Sequence, residues 1–236
     1  MSTERKVAVV TGASRGIGAA LVTAFRERDF RVVATARSIE RSSDADILAI
    51  PGDVAERTTA ERVISEGVAR FGRIDTLVNN AGIFIAKPFT EYTQADYAAM
   101  LGVNSAGFFH MTQLAIARME KQGGGHVVQI TTSLVEHARS AVPSVLASLT
   151  KGGLAAATRS LAIEYAKRNI RVNAVAPGII RTPMHPDETH PDLDAMHPLG
   201  QMGEIADIVD AILYLESARF VPGEIIHVDG GQSAGH

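Results

Sequence analysis

An α/β fold, doubly wound around one sheet of about seven parallel strands with helices on both faces, follows from three features of the sequence. Short β-branched runs alternate with helical patterns along the whole chain. A glycine cluster sits where the first run turns into the first helix. No repeat, low-complexity tract or linker divides the 236 residues, a length that suits a single large domain.

Val7 to Val10 reads as a buried strand. Thr11-Gly12-Ala13-Ser14-Arg15-Gly16-Ile17-Gly18 follows, and Ala19 to Phe25 has the apolar spacing of a helix packed on a sheet. Glycine tolerates positive φ and, lacking Cβ, lets a phosphate approach the backbone. The helix start adds unpaired N–H groups and the positive end of its dipole. Together they predict a pyrophosphate cradle and a dinucleotide site. Further strands are predicted at Arg31–Ala36, Ile47–Ile50, Thr76–Asn79, His126–Ile130, Val172–Ala176 and Glu224–Val228. Helices are predicted at Thr58–Phe71, Ser144–Ala166 and Glu204–Leu215, with a longer one from Ala95 to Lys121 bent near Asn104. Arg181 to Gly203, with four prolines, reads as one long irregular segment. A loop of that length in a compact domain is usually functional, so 181–203 is the candidate substrate lid.

Composition narrows the function. With 46% hydrophobic and 21% charged residues the chain belongs among folded proteins rather than disordered ones. A net charge of −3 leaves no basic excess for nucleic acid or an anionic membrane. No apolar run is long enough to span a bilayer. The absence of cysteine removes disulfides and thiol chemistry and accords with a reducing, cytoplasmic setting. Met1 to Lys6 leads straight into the first strand, leaving no room for a signal peptide.

Four further segments complete a pattern: Asn79-Asn80-Ala81-Gly82 after the fourth strand, Asn104 in the bent helix, Pro177-Gly178-Ile179-Ile180-Arg181-Thr182 after the sixth strand, and Val228-Asp229-Gly230-Gly231 near the end. With the TGASRGIG turn, they make the chain resemble the short-chain dehydrogenase/reductase family over essentially its whole length. The resemblance implies a nicotinamide cofactor, a single Rossmann-like domain over residues 1–236 acting on a small molecule, and a homotetramer or, failing that, a dimer. It places Gly12, Ser14, Arg15, Gly16, Ile17, Gly18, Asn80, Ala81, Gly82, Lys151, Pro177, Gly178, Ile180 and Thr182 at the cofactor. Thr182 resembles the residue that orients the nicotinamide carboxamide, and Asp53 and Val54 resemble the pair at the adenine. The plainer reading of Asp53 is a turn or helix-cap residue.

Residue chemistry selects the cofactor. An acid at the end of the second strand would bind the ribose hydroxyls of NAD. Here Ala36 and Arg37 stand there, and Arg15 lies close by in the glycine turn. Two guanidinium groups suit a 2′-phosphate, so NADP(H) is preferred over NAD(H). The plainer reading is a pair of solvated arginines.

One departure matters. The family's catalysis uses a serine, and a tyrosine four residues before a lysine on one helix face. The lysine lowers the tyrosine pKa, and the tyrosine exchanges the proton. Lys151 is present, but Ala147 stands four residues earlier. Tyr92, Tyr97, Tyr165 and Tyr214 all lie away from that helix face in sequence. Ser144 and Ser148 share the face, but a serine is a much weaker acid than a phenol. The family's serine position falls at Thr132 or Ser133. The implied catalytic set is therefore Asn104, Thr132, Ser133 and Lys151, with no metal.

A positioned general acid is worth about 10²–10⁴ in rate. Without it, acceptors that need little acid assistance suffer less: protonated imines, quinones and enones. Other proton sources are Glu136 and His137 after the fifth strand, the lid residues His185, His190 and His197, and water in the space beside Lys151. Each histidine reads more plainly as an exposed loop residue, and the lid spacing suits no metal cage. Two functions stay open: an NADP(H)-dependent oxidoreductase with a rearranged proton path, and a catalytically weak cofactor-binding sensor or partner subunit.

Overall fold

A computed structural model describes residues 5–235, so residues 1–4, on which the reading of the leader partly rests, lie outside it. Seven strands form one sheet: β1 (Val7–Thr11), β2 (Arg31–Ala36), β3 (Ile47–Pro51), β4 (Thr76–Asn79), β5 (Gly125–Ile130), β6 (Ile170–Pro177) and β7 (Ile225–Val228). Their order is β3-β2-β1-β4-β5-β6-β7, and every pairing is parallel.

Side chains alternate across each strand, so a parallel sheet buried on both faces needs apolar residues at successive positions. In β1, Val7 and Val9 join one core while Ala8 and Val10 join the other. The first core packs against α2 (Arg57–Phe71), α4 (Gly107–Gln122) and α5 (Val145–Tyr165); the second packs against α1 (Gly16–Glu27) and α7 (Ile205–Ser217). This is the Rossmann-like arrangement. Among the described residues, no helix is long and apolar enough to cross a membrane.

The expected bend near Asn104 is a π-helical stretch, Leu101–Ala106, between α3 (Gln94–Met100) and α4. Such stretches often occur at functional sites. The 181–203 segment is less irregular than its prolines predict. It holds a 3₁₀ turn at Asp187–Thr189 and the short helix α6 (His190–Asp194), with Pro191 in the first turn, where a missing N–H costs nothing. The segment's ends meet: Arg181 N–H donates to Gly203 O at 2.8 Å, and Gly203 N–H to Ile179 O at 3.0 Å. It is a closed excursion rather than a loose loop.

The strand order reverses between β1 and β4, and ligands of such sheets bind beyond the strand ends at that point. Thr11 ties the two strands there. Its hydroxyl donates to Val78 O at 3.3 Å and accepts from the N–H groups of Asn80 and Ala81, both at 3.0 Å.

Candidate active site

At this crevice the glycine turn is built around two close approaches. Gly12 adopts φ +65°, and a Cβ there would sit 2.9 Å from Ala81 Cα. A Cβ on Gly18 would lie 2.1 Å from the Gly12 carbonyl oxygen. Arg15 precedes α1 in an extended conformation, with no side-chain cap and no acid in the first turn. The first N–H groups of α1 therefore lack a capping side chain and suit an anion.

A cleft of about 790 Å³ opens from this turn. Gly12, Ser14, Arg15, Gly16, Ile17, Arg37, Asp53, Val54, Asn80, Ala81, Gly82, Thr132, Ser133, Lys151, Pro177, Gly178 and Thr182 all line it. Three expected residues do not. Gly18 is buried against the turn and serves close packing. Ile180 is 5% exposed, packs in the core and bridges to Gly203. Asn104 lies behind the cleft. Its Oδ1 accepts from Ile83 N–H at 2.9 Å, and its Nδ2 donates to Ile83 O and Thr150 Oγ1, both at 3.1 Å. It bolts the π stretch to the loop after β4 and to α5.

Arg15 and Arg37 are exposed at one end of the cleft, and neither forms an ion pair among the described residues. Asp53 borders the cleft and also closes a turn, accepting from Ala55 N–H at 2.9 Å. At the other end, Lys151 is buried and its Nζ donates to Ile130 O at 2.6 Å. Burial disfavours its charge and lowers its pKa to about 8. Ala147, 1% exposed, lines the cleft one helical turn earlier.

No tyrosine is among the cleft-lining residues. Tyr92 comes nearer than its sequence position indicates, packing in the small apolar cluster that holds Ala147, but its hydroxyl donates to Ile85 O at 2.7 Å. Ser148 donates to Leu134 O at 3.3 Å, and neither it nor Ser144 lines the cleft.

The two candidate hydroxyls differ in what they have left to give. Gln232 Nε2 donates to Met196 O at 3.3 Å, which turns Gln232 Oε1 toward Ser133. Ser133 Oγ donates its proton to that oxygen at 3.0 Å. Thr132 Oγ1 instead accepts from Leu134 N–H at 3.3 Å, leaving its own proton available.

Of the candidate histidines, only His185 lines the cleft; burial, helped by His190, lowers its pKa. Glu136 pairs with His227 at 3.0 Å, and neither it nor His137 lines the cleft. His190 is half-buried and receives Arg181 at Nδ1. His197 corrects the expectation of an exposed loop residue. It is 4% exposed, accepts from Ile179 N–H at 3.0 Å and donates to Leu193 O at 3.1 Å. Both ring nitrogens are engaged, so it pins the segment after α6 to the exit of β6. No group of metal-ligating side chains occurs among the described residues.

The family described as Enoyl-(Acyl carrier protein) reductase matches residues 12–233. A Serratia marcescens short-chain dehydrogenase/reductase, solved as a double mutant, superposes with a TM-score of 0.90 at 30% identity, over 98% of each chain. This chain belongs to the short-chain dehydrogenase/reductase family. Its relatives in that family include Carbonyl reductase family member 4 of Xenopus laevis, 36% identical over 96% of this chain and 97% of the relative. The 3-oxoacyl-(acyl-carrier-protein) reductase of Thermotoga maritima is 35% identical over 98% and 99%. The structure titled ElxO with NADP Bound has a TM-score of 0.92 at 28% identity, covering 98% and 100%.

Within this family member, sequence reasoning missed Arg139, Ser38, Phe84 and Gln232 in the cleft lining. Gln232 directly follows the recognised Gly230-Gly231 pair, which was its available signal. Arg139 stands between motifs and carried none.

Proposed function

We propose that this chain is an NADP(H)-dependent oxidoreductase that moves hydride to or from a small organic substrate, with Ala147 where the family's tyrosine is expected. One observation carries the reading: a single cleft joins the uncapped start of α1, with Arg15 and Arg37, to the buried Lys151. Gly16, at φ +56°, lines the same cleft as Thr182 and Pro183, and a Cβ there would only reach ordinary contact distance, 3.9 Å, from both. The NADP-bound relative fits the same choice of cofactor. When bound, NADP(H) supplies or takes the hydride.

The chain's own residues then do the following. Arg15 and Arg37 hold the 2′-phosphate, Asp53 and Val54 the adenine, and the α1 N–H groups the pyrophosphate. Thr182 orients the carboxamide. Lys151 holds the nicotinamide ribose and, protonated below a pKa of about 8, is a near-neutral proton source. Water in the space above Ala147 carries that proton to the substrate, and Thr132 donates a hydrogen bond to the substrate oxygen. Asn104 positions the helix junction beside Lys151. The 181–203 segment covers the cleft as a lid, contributing Met184, His185, Leu193 and Met196.

Charge narrows the acceptor. Asp53 is the one acid among the cleft-lining residues, and it lies with the adenine group; Lys151 and Arg139 are both cationic. Protonated imines are disfavoured beside two cations, whereas quinones, enones and ketones that gain negative charge are favoured. The exposed Phe109, Val145, Leu149 and Ile163 on α4 and α5 support pairing of copies through these helices and a homotetramer. A cytoplasmic location belongs to the same proposal and is compatible with a chain that has no cysteine.

NADPH oxidation by the wild type and by Ala147→Tyr, against ketones, quinones, enones and cyclic imines, tests the reading. Turnover of quinones or enones by the wild type, with ketone turnover raised about 10²-fold in the variant, is expected. The second reading, a weak cofactor-binding sensor, is favoured by Ala147 itself. NADPH binding with no turnover of this panel by either protein would favour it over the first.

A further inference from the structure

The substrate end of the cleft contains a cation, Arg139, whose charge bears on the acceptor but which has no binding partner assigned above. Arg139 follows the 3₁₀ turn after β5 and lines the cleft half-buried. Its Nη1 donates to the Met196 carbonyl at 2.5 Å. No carboxylate pairs with it among the described residues. Its Nε and Nη2 have no hydrogen-bond partner among the described residues, and neither is a fully buried atom, so both are accessible from the cleft or its solvent. A guanidinium is a planar fork whose geometry matches a carboxylate. Here one prong is anchored on the backbone and the rest of the fork is free.

Two further observations place this fork near the chemistry. Met196 O accepts from both Arg139 and Gln232, and Gln232 accepts from Ser133. Arg139 is thus joined to one of the two candidate hydroxyls, Ser133, by a short chain of hydrogen bonds. The same cleft is also lined by the apolar side chains of Ile83, Phe84, Val142, Met184 and Leu193. An apolar pocket with one oriented cation selects an amphiphilic anion.

Building on the oxidoreductase reading, we propose that Arg139 is the substrate-anchoring residue and that the substrate is a small organic acid, its carboxylate held by the guanidinium and its apolar body against the lid. A purely structural Arg139, serving only to hold the Met196 carbonyl, is the competing account. Glutamine in its place keeps an N–H donor for that carbonyl and removes the charge, so Arg139→Gln separates the two.

The full chain is first titrated with NADP⁺ by calorimetry, which tests the cofactor reading by itself. Octanoate, benzoate and phenylacetate, each beside its primary amide, are then titrated into wild type, Arg139→Gln and Arg139→Lys. The result expected is at least one acid binding wild type ten times or more tighter than its amide. That preference falls to about twofold or less in Arg139→Gln and is partly kept in Arg139→Lys, with amide binding and the NADP⁺ affinity unchanged. Equal affinity for acid and amide, absence of binding by every acid, or equal weakening of both in Arg139→Gln would overturn the proposal. If NADP⁺ itself does not bind, the cofactor reading falls, and the acid-over-amide comparison is still decided on the unliganded chain.

Discussion

At the amino end of the sheet, His126, at the start of β5, meets Glu216 at 2.9 Å, while Glu216 also receives Lys6 at 2.9 Å and Thr76 Oγ1 at 2.8 Å. Asn173 donates to the other ring nitrogen of His126 at 3.1 Å, its orientation set by the Glu224 N–H on its Oδ1. Every polar atom of this buried cluster has a partner. At the carboxyl end, Lys151 is equally buried but has one backbone carbonyl and no carboxylate. Burial pushes both His126 and Lys151 toward their neutral forms. Burial alone would raise the Glu216 pKa, but the bonds from His126 and Lys6 outweigh it and hold it at about 2. A satisfied network specifies structure, whereas a buried charge with open valences awaits a ligand. The contrast separates a cluster that serves stability from the proposed functional site on the same sheet.

Exchanging the readouts of the two ends would break this comparison. Lys151→Met is expected to lower kcat/KM by about 10³-fold while the denaturation midpoint holds or rises, because an unpaired buried charge is removed. An unchanged kcat/KM would remove Lys151 from the chemistry. Glu216→Gln is expected to do the reverse. It costs about 3 kcal/mol of stability in urea, from a buried network left half-paired, with NADPH affinity unaltered.

The two ends also sit on opposite limbs of the pH–stability curve. Glu216 has a folded pKa of about 2, below its ordinary value of 4.5, so its contribution is whole above pH 4.5 and is lost as pH falls toward 2. His126, lowered by burial, adds to the acid loss because the unfolded chain protonates first. For Lys151 stability likewise rises with pH, but in the alkaline window and because the charged form is a cost rather than a gain. Its folded pKa of about 8 lies below its ordinary 10.5, so its cost is full below pH 8 and fades as pH rises to 10.5, a gain of about 3 kcal/mol. Denaturation at stepped pH, with Lys151→Met lacking the alkaline gain, checks this. The smallest effect expected is at the far end of the cleft: Arg37→Gln weakens NADPH by about 10–30-fold and leaves NADH unchanged, read by fluorescence titration. Equal weakening of both would take the 2′-phosphate away from Arg37.

The strands, their order of appearance and the glycine turn were legible in sequence because they rest on local rules: β-branched runs, apolar periodicity and glycine's access to positive φ. Most of the proposed cofactor residues sit in one motif per strand end, and strand ends converge by topology, so they line one cleft. Boundaries moved by a residue or two, as at β6, which runs from Ile170 to Pro177. Gly18 and Ile180 belong to the right motifs but face the packing side, and a motif does not say which neighbour turns inward. The 181–203 prolines read as irregularity, but Pro191 sits at a helix start, where its fixed φ is an asset.

The sequence by itself determined the fold class, the family, the Lys151–Ala147 spacing and the arginines that oppose an NAD-type acid, since each depends on residues close together in the chain. Tertiary structure alone decided which groups with distant numbers share a space. It brought Gln232 to Ser133, Arg139 to Met196, His126 to Glu216 and Tyr92 to the Ala147 cluster. It also turned His197 from a lid histidine into a buried pin. Hydrogen bonding and desolvation act over a few ångströms in space, and no periodicity in one dimension encodes which partners a sheet with crossover helices will bring that close.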